Sequence, residues 1–128
     1  MSIQIEVSIG ELIDKITILE IKSERIKDPR KLANIKHELS ILNAAWQCAV
    51  HDQESIAHHR AQLKATNELL WEIEDNIRNK EAAGAFDEEF IALARSVYRT
   101  NDQRAACKRA INDDLDSDLV EEKSYQPY

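Results

Sequence analysis

Three polar residues interrupt the apolar face of a helix in the C-terminal third of this chain. With 100° per residue and Val97 at the centre of that face, Phe90, Leu93, Ile111 and Leu115 fall within about 40° of it. Asn101, Arg104 and Lys108 occupy the same sector, at about +40°, −20° and +20°. Cations on an inward face are costly unless anions meet them, and two carboxylates have a matching phase. Glu20 lies about 40° from Ile16, on a stripe with Ile9 and Leu12; Glu74 lies about 40° from Leu70, between Leu63 and Ile77. These five residues are therefore expected to converge between helices.

Three arrangements satisfy that pattern. A closed ion-pair network would fix helix register and do no chemistry. A polar interhelical cleft would turn Arg104 and Lys108 toward a small anionic ligand. A modest helix rotation would instead carry the same groups to the rim, as ordinary solvated charges. Two function classes follow from the cleft. One is a binding or interaction module for a small anion or a partner protein. The other is a small all-α enzyme that acts on a carboxylated or phosphorylated metabolite through preorganised Arg, Lys and Glu.

Charge distribution adds a second feature. Arg95, Arg99, Arg104, Lys108 and Arg109 stand against the single acid Asp102. Asp113, Asp114, Asp116, Asp118, Glu121 and Glu122 follow directly, with only Lys123 opposing them. An acidic tail next to a basic helix is expected to fold back on it. Exposed ion pairs are worth at most about 1 kcal/mol each, so apolar docking of Leu119 or Tyr125 is expected to supply most of the hold.

Other chemistries are poorly served. Two glycines in 128 residues cannot form a phosphate loop or a dinucleotide fingerprint, so no cofactor is expected. His58 and His59 point about 100° apart on a helix, and neither they nor His51 and Asp52 form a ligand set, so no metal is expected. A net charge of −7 argues against nucleic acid. No apolar run is long enough for a membrane span, and the start does not read as a signal peptide. Cys48 and Cys107 make no disulfide framework and suit a reducing cytoplasm.

The elements that must position these residues are marked by four breakers, Gly10, Pro29, Gly84 and Pro127. Between them lie long stretches rich in helix formers. Ser8 and Glu11 form a capping-box pattern, Asp28-Pro29 an N-cap with proline in the first turn, Asp52 and Asp87 further caps, and Gly84 a C′ residue. The reading is one all-α domain: an antiparallel bundle of four long helices over about 9–26, 29–50, 53–83 and 88–112, with a docked tail over 113–128. Ile3, Ile5 and Val7 alternate with Gln4 and Glu6, which predicts a short extended segment at the start. That arm, or the face carrying Trp71, would serve as the contact of a homodimer.

The segments VSIGELIDKITILEIKSERI (7–26), LWEIEDNIR (70–78), FIALARSVYRTNDQRAACKRAIN (90–112) and LVEEKSY (119–125) resemble a family of small bacterial proteins catalogued as a domain of unknown function. The resemblance covers nearly the whole chain and is least distinctive over 44–64. It implies a mainly helical, bacterial, cytoplasmic protein, sometimes encoded near sugar-transfer or cell-surface polysaccharide genes. It transfers no catalytic residue. The resembling segments carry Lys15, Glu20, Glu74, Arg95, Tyr98, Asn101, Arg104, Lys108 and the Glu121-Glu122-Lys123 run, which overlap the set reached by helical phase. Glu20, Glu74, Arg95, Tyr98, Asn101, Arg104, Lys108 and Lys123 are accordingly the candidate ligand-binding residues.

Overall fold

A computed structural model describes residues 1–49 and 52–128; Val50 and His51, which include the predicted end of the second helix, lie outside the described residues. Four helices form the domain: α1 (Ile9–Arg25), α2 (Pro29–Ala49), α3 (Ala57–Ala82) and α4 (Glu88–Asp114). Among the described residues there is no strand. Met1–Val7 precede α1 outside any regular element, with Ile3 and Ile5 open to solvent.

The expected caps set most of the ends. The Ser8 hydroxyl accepts from the Glu11 N–H at 3.1 Å, Asp28 Oδ1 from the Lys31 N–H at 3.0 Å, and Asp87 Oδ1 from the Phe90 N–H at 2.9 Å. Each satisfies an amide that the first turn of a helix leaves without a partner. Helix α3 begins later than the periodicity predicts. Asp52 accepts from the Ser55 N–H at 3.3 Å and so caps a single 3-10 turn, Glu54–Ile56, which leads into α3.

Helices α3 and α4 end in the same way. Gly84 adopts φ +64° and donates to the Glu81 carbonyl, while Ala85 donates to that of Lys80. At the end of α4, Asp116 takes the left-handed conformation at φ +49°, and Ser117 donates to the Asn112 carbonyl at 2.9 Å. Both are Schellman closures, which turn the chain sharply back. The first joins α3 and α4 as an antiparallel pair, bridged by Lys80–Asp87 at one end and His59–Asp114 at the other. The second sends the tail back toward α4.

Helix α1 is the centre of the domain and touches all three other helices. One face places Ile13 and Ile16 in a core with Trp46, Ile56, Leu63 and Ile111. Gly10, Asp14, Thr17 and Ile21 form a second buried stripe at spacings of four, three and four. A Cβ on Gly10 would lie 2.5 Å from the Lys108 carbonyl oxygen and 3.0 Å from Asn112 Oδ1, so α1 approaches α4 as closely as a glycine permits. The contact also finishes the α1 cap: the Ile9 N–H donates to the Ser117 hydroxyl at 3.1 Å and the Gly10 N–H to Asn112 Oδ1 at 2.7 Å.

Gly10→Ala tests that approach. Helix propensity alone would favour alanine by about 1 kcal/mol. The overpacked contact is expected to reverse the sign and lower stability by about 1–3 kcal/mol in urea denaturation.

Candidate functional site

Asp14 is the most buried carboxylate of the site, with 1% of its side chain exposed. Both oxygens are engaged. Oδ1 accepts from Arg104 Nε at 2.9 Å and from Asn67 Nδ2 at 2.9 Å, and Oδ2 accepts from Arg104 Nη2. Asn67 also donates to the Thr17 hydroxyl at 3.0 Å, which in turn donates to the Asp14 carbonyl. The side-on, two-bond fork is the strong form of an Arg–carboxylate pair. It spends Nε and one N–H of Nη2. Among the described residues, the other three N–H groups of Arg104 meet no acceptor.

One turn away on α4, the Lys108 side chain is 8% exposed and its ammonium is shared by three carboxylates. Glu11 lies at 2.7 Å, Glu121 at 3.4 Å and Asp14 at 3.9 Å. Burial is the largest single influence on Lys108 and opposes its charge. The Glu11 hydrogen bond and the charges of Asp14, Glu11 and Glu121 together outweigh it, so the pKa of Lys108 stands above its usual range.

The tail completes the site. Glu121 reaches Lys108, Glu122 reaches Arg109 at 3.2 Å, and the Tyr128 hydroxyl donates to Asp102. Tyr128 also meets Tyr98 edge to face, with centroids 5.3 Å apart. Between tail and helix lies a cleft of about 750 Å³, walled by Arg104, Lys108 and Asn101 on α4 and by Lys123, Tyr125 and Tyr128 on the tail. Ion pairs and Tyr128 hold this segment, rather than the expected apolar docking: Leu119 is 44% exposed and Tyr125 75%.

The predicted residues divide as follows. Arg104, Lys108, Asn101 and Lys123 share the cleft, and Tyr98 lines its extension. Glu20 does not join them. Its carboxylate is taken by Arg60 at 3.1 Å and Lys64 at 3.9 Å on α3. Glu74 pairs with Arg78 one turn along its own helix and faces Asn101 and Arg104 only across a shallow groove lined by Trp71. Arg95 is exposed on α4 and stands outside the cleft.

A family model covers residues 3–128, and therefore the helices, the cleft and the tail together. The chain belongs to DUF6165, a family of unknown function. No curated protein and no solved structure matches it.

Two members of the site in this DUF6165 chain escape helical-phase reasoning. Asp14 lies about 160° from Ile16, so a single apolar stripe centred there assigns it to solvent. The second stripe of Gly10, Asp14, Thr17 and Ile21 is the signal that would have found it. Glu11 reads as the acidic half of a capping box. The serine half forms as expected, but the Glu11 carboxylate is given to Lys108.

The two sides of the Asp14–Arg104 pair are unequally buried, which makes the single variants unequal. Arg104→Met strands a fully buried carboxylate and is expected to cost about 3–5 kcal/mol. Asp14→Leu strands a guanidinium that is 31% exposed and still meets water, so it should cost less. The double variant should recover most of the loss, measured as coupling in a denaturation double-mutant cycle.

Acid should loosen the tail before the bundle. Burial tends to raise the Glu121 pKa, but the charges of Lys108 and Lys123 and their hydrogen bonds prevail, and it is lowered. A lowered folded-state pKa gives stability that is full above the ordinary glutamate value of about 4.3 and lost as pH falls through the lower, docked value. NMR shifts of Tyr125 and Tyr128 are expected to move toward free-chain values over that acidic range. In Glu121→Gln they should already be displaced at neutral pH.

Proposed function

We propose that this protein is a binding module for a small anion, which enters the cleft between α4 and the C-terminal tail. One observation carries the reading: Arg104 is fixed from behind by buried Asp14, while three of its N–H groups meet no acceptor among the described residues and the side chain lines an open cleft. A guanidinium already held in place loses little conformational freedom on meeting a ligand, so its hydrogen bonds contribute more fully to affinity. Asn101, one turn before it, is exposed in the same cleft and adds an amide with no hydrogen-bond partner among the described residues.

The charge balance of the cleft supports the same reading and explains the tail. Arg104 is met from behind by Asp14, and Lys108 and Lys123 face Glu11, Asp102 and Glu121 in the cleft. With the tail docked, the site is electrostatically satisfied by its own chain. An incoming phosphate or carboxylate finds its place by taking over the position of Glu121 beside Lys108 and using the free edge of Arg104. Glu121 is in this sense an internal stand-in for the ligand. The buried Asp14–Asn67–Thr17 base remains structural, and the binding edge is built on it.

Phosphate and sulfate titrations at constant ionic strength test the proposal. Arg104→Lys, which keeps the charge but loses the planar fork, should weaken binding about tenfold, equivalent to about 1.4 kcal/mol. Asn101→Ala, at an exposed position where folding is not at stake, should weaken it less. Glu121→Gln removes the internal competitor and should strengthen binding severalfold. Absence of saturable anion binding by both the native chain and Glu121→Gln would overturn the reading.

A further inference from the structure

The anion cleft continues into a second cavity of about 330 Å³, which adds Val97 and Tyr98 and shares Asn101, Asp102, Tyr125 and Tyr128 with the first. The combined site therefore has two chemically distinct ends. At one end are Arg104, Lys108 and Lys123. At the other are Val97 and Tyr98, while Tyr125 and Tyr128 line both cavities, with Tyr98 and Tyr125 substantially exposed. Tyr128 holds the tail against Asp102 and Tyr98, and Lys123 lies over the Tyr125 ring, but simple anion binding gives the open faces of Tyr98 and Tyr125 no task.

The spacing is set by α4. Tyr98 and Arg104 are six residues apart, which is about 9 Å along the helix axis. Asn101 and Asp102 lie between them and line both cavities. The Asn101 amide, and the Asp102 oxygen not taken by the Tyr128 hydroxyl, supply a donor and acceptors for hydroxyl groups. The order along the helix is thus an aromatic ring, a hydroxyl-binding pair and an anion-binding guanidinium.

We infer that the ligand is a nucleoside phosphate, with its planar base on the tyrosines, its sugar hydroxyls at Asn101 and Asp102, and its phosphate at Arg104 and Lys108 in the place of Glu121, with Lys123 beside it. The inference rests on the anion-binding reading and gives that site its ligand class. Tyrosine faces accept any base, because every base has a flat π surface, so the site is expected to discriminate little among bases. The tail contributes Tyr125, Tyr128 and Lys123, and the bound ligand therefore keeps the tail in place even after Glu121 has left Lys108.

Calorimetric titration of the full chain with three probes separates the two levels of the proposal. The probes are inorganic phosphate, ribose phosphate and adenosine monophosphate. The expected result is saturable binding of all three, with adenosine monophosphate about tenfold or more tighter than ribose phosphate, the gain of stacking one base on an aromatic ring. Tyr125→Ala, at a position 75% exposed, should bring adenosine monophosphate and ribose phosphate to within about twofold of each other, the ratio of the two being the readout. Equal affinity for adenosine monophosphate and ribose phosphate would overturn the nucleoside assignment while leaving the anion site standing. Equal losses for all three probes in Tyr125→Ala would also overturn it, because the ring would then act on the cleft as a whole. No binding of any probe, by the native chain or by Glu121→Gln, would remove both.

Discussion

A carboxylate buried to the extent of Asp14 must be met by donors wherever it goes, and those donors determine where the neighbouring helices lie. Asn67 fixes α3 against α1, and Arg104 fixes α4 against α1. The pairs are short-ranged and directional, so they specify register in a way that packed methyl groups do not. Apolar residues of similar volume could fill the same space without loss of stability. Stability alone therefore gives a poor reason for this network, whereas orientation of Arg104 gives a good one.

The same demand explains why α1 comes so near α4. Gly10 removes the side chain that would keep the helices apart, and the amides at the start of α1 then find acceptors on Asn112 and Ser117 at the end of α4. Two consequences follow from one contact. Glu11, carried on the first turn of α1, arrives at Lys108. Ser117, held by that cap and by the Asn112 carbonyl, starts the tail in the direction that takes Glu121 to the same lysine. The cleft is a product of how two helix ends are capped.

Much of this was legible in the chain itself. Long helix-forming stretches separated by few breakers, with Ser8, Asp28 and Asp87 as caps and Gly84 in a left-handed turn, mark the helices to within a few residues because caps are local chemistry. The start of α3 was less legible, since Asp52 can cap a 3-10 turn as readily as a helix. Arg104 and Lys108 stood out because charge on an apolar stripe is rare. Their partners were not found: the single-stripe reading holds for a helix with one buried face, and α1 is buried on two. Glu20 had the right phase for one neighbour, but Arg60 and Lys64 on α3 reach it.

The tail shows where an energetic argument from sequence went astray and why. It treated every ion pair as exposed, worth at most about 1 kcal/mol, and so required Leu119 or Tyr125 to be buried. Lys108 is the exception to the premise: its ammonium lies at the bottom of the cleft, where a carboxylate is screened less by water. Glu121 itself is 38% exposed, so the hold on the tail is shared by its pair with Lys108, the Glu122–Arg109 pair and Tyr128. The pair with Lys108 is also an unusually replaceable hold, because any anion of suitable shape can take the place of Glu121. Apolar docking would have tied the tail to the helix by surface that no small ligand could reproduce. Under the proposed function, an ionic latch makes the order of the tail and the occupancy of the site one linked equilibrium, in which Glu121 and the ligand compete for the same lysine.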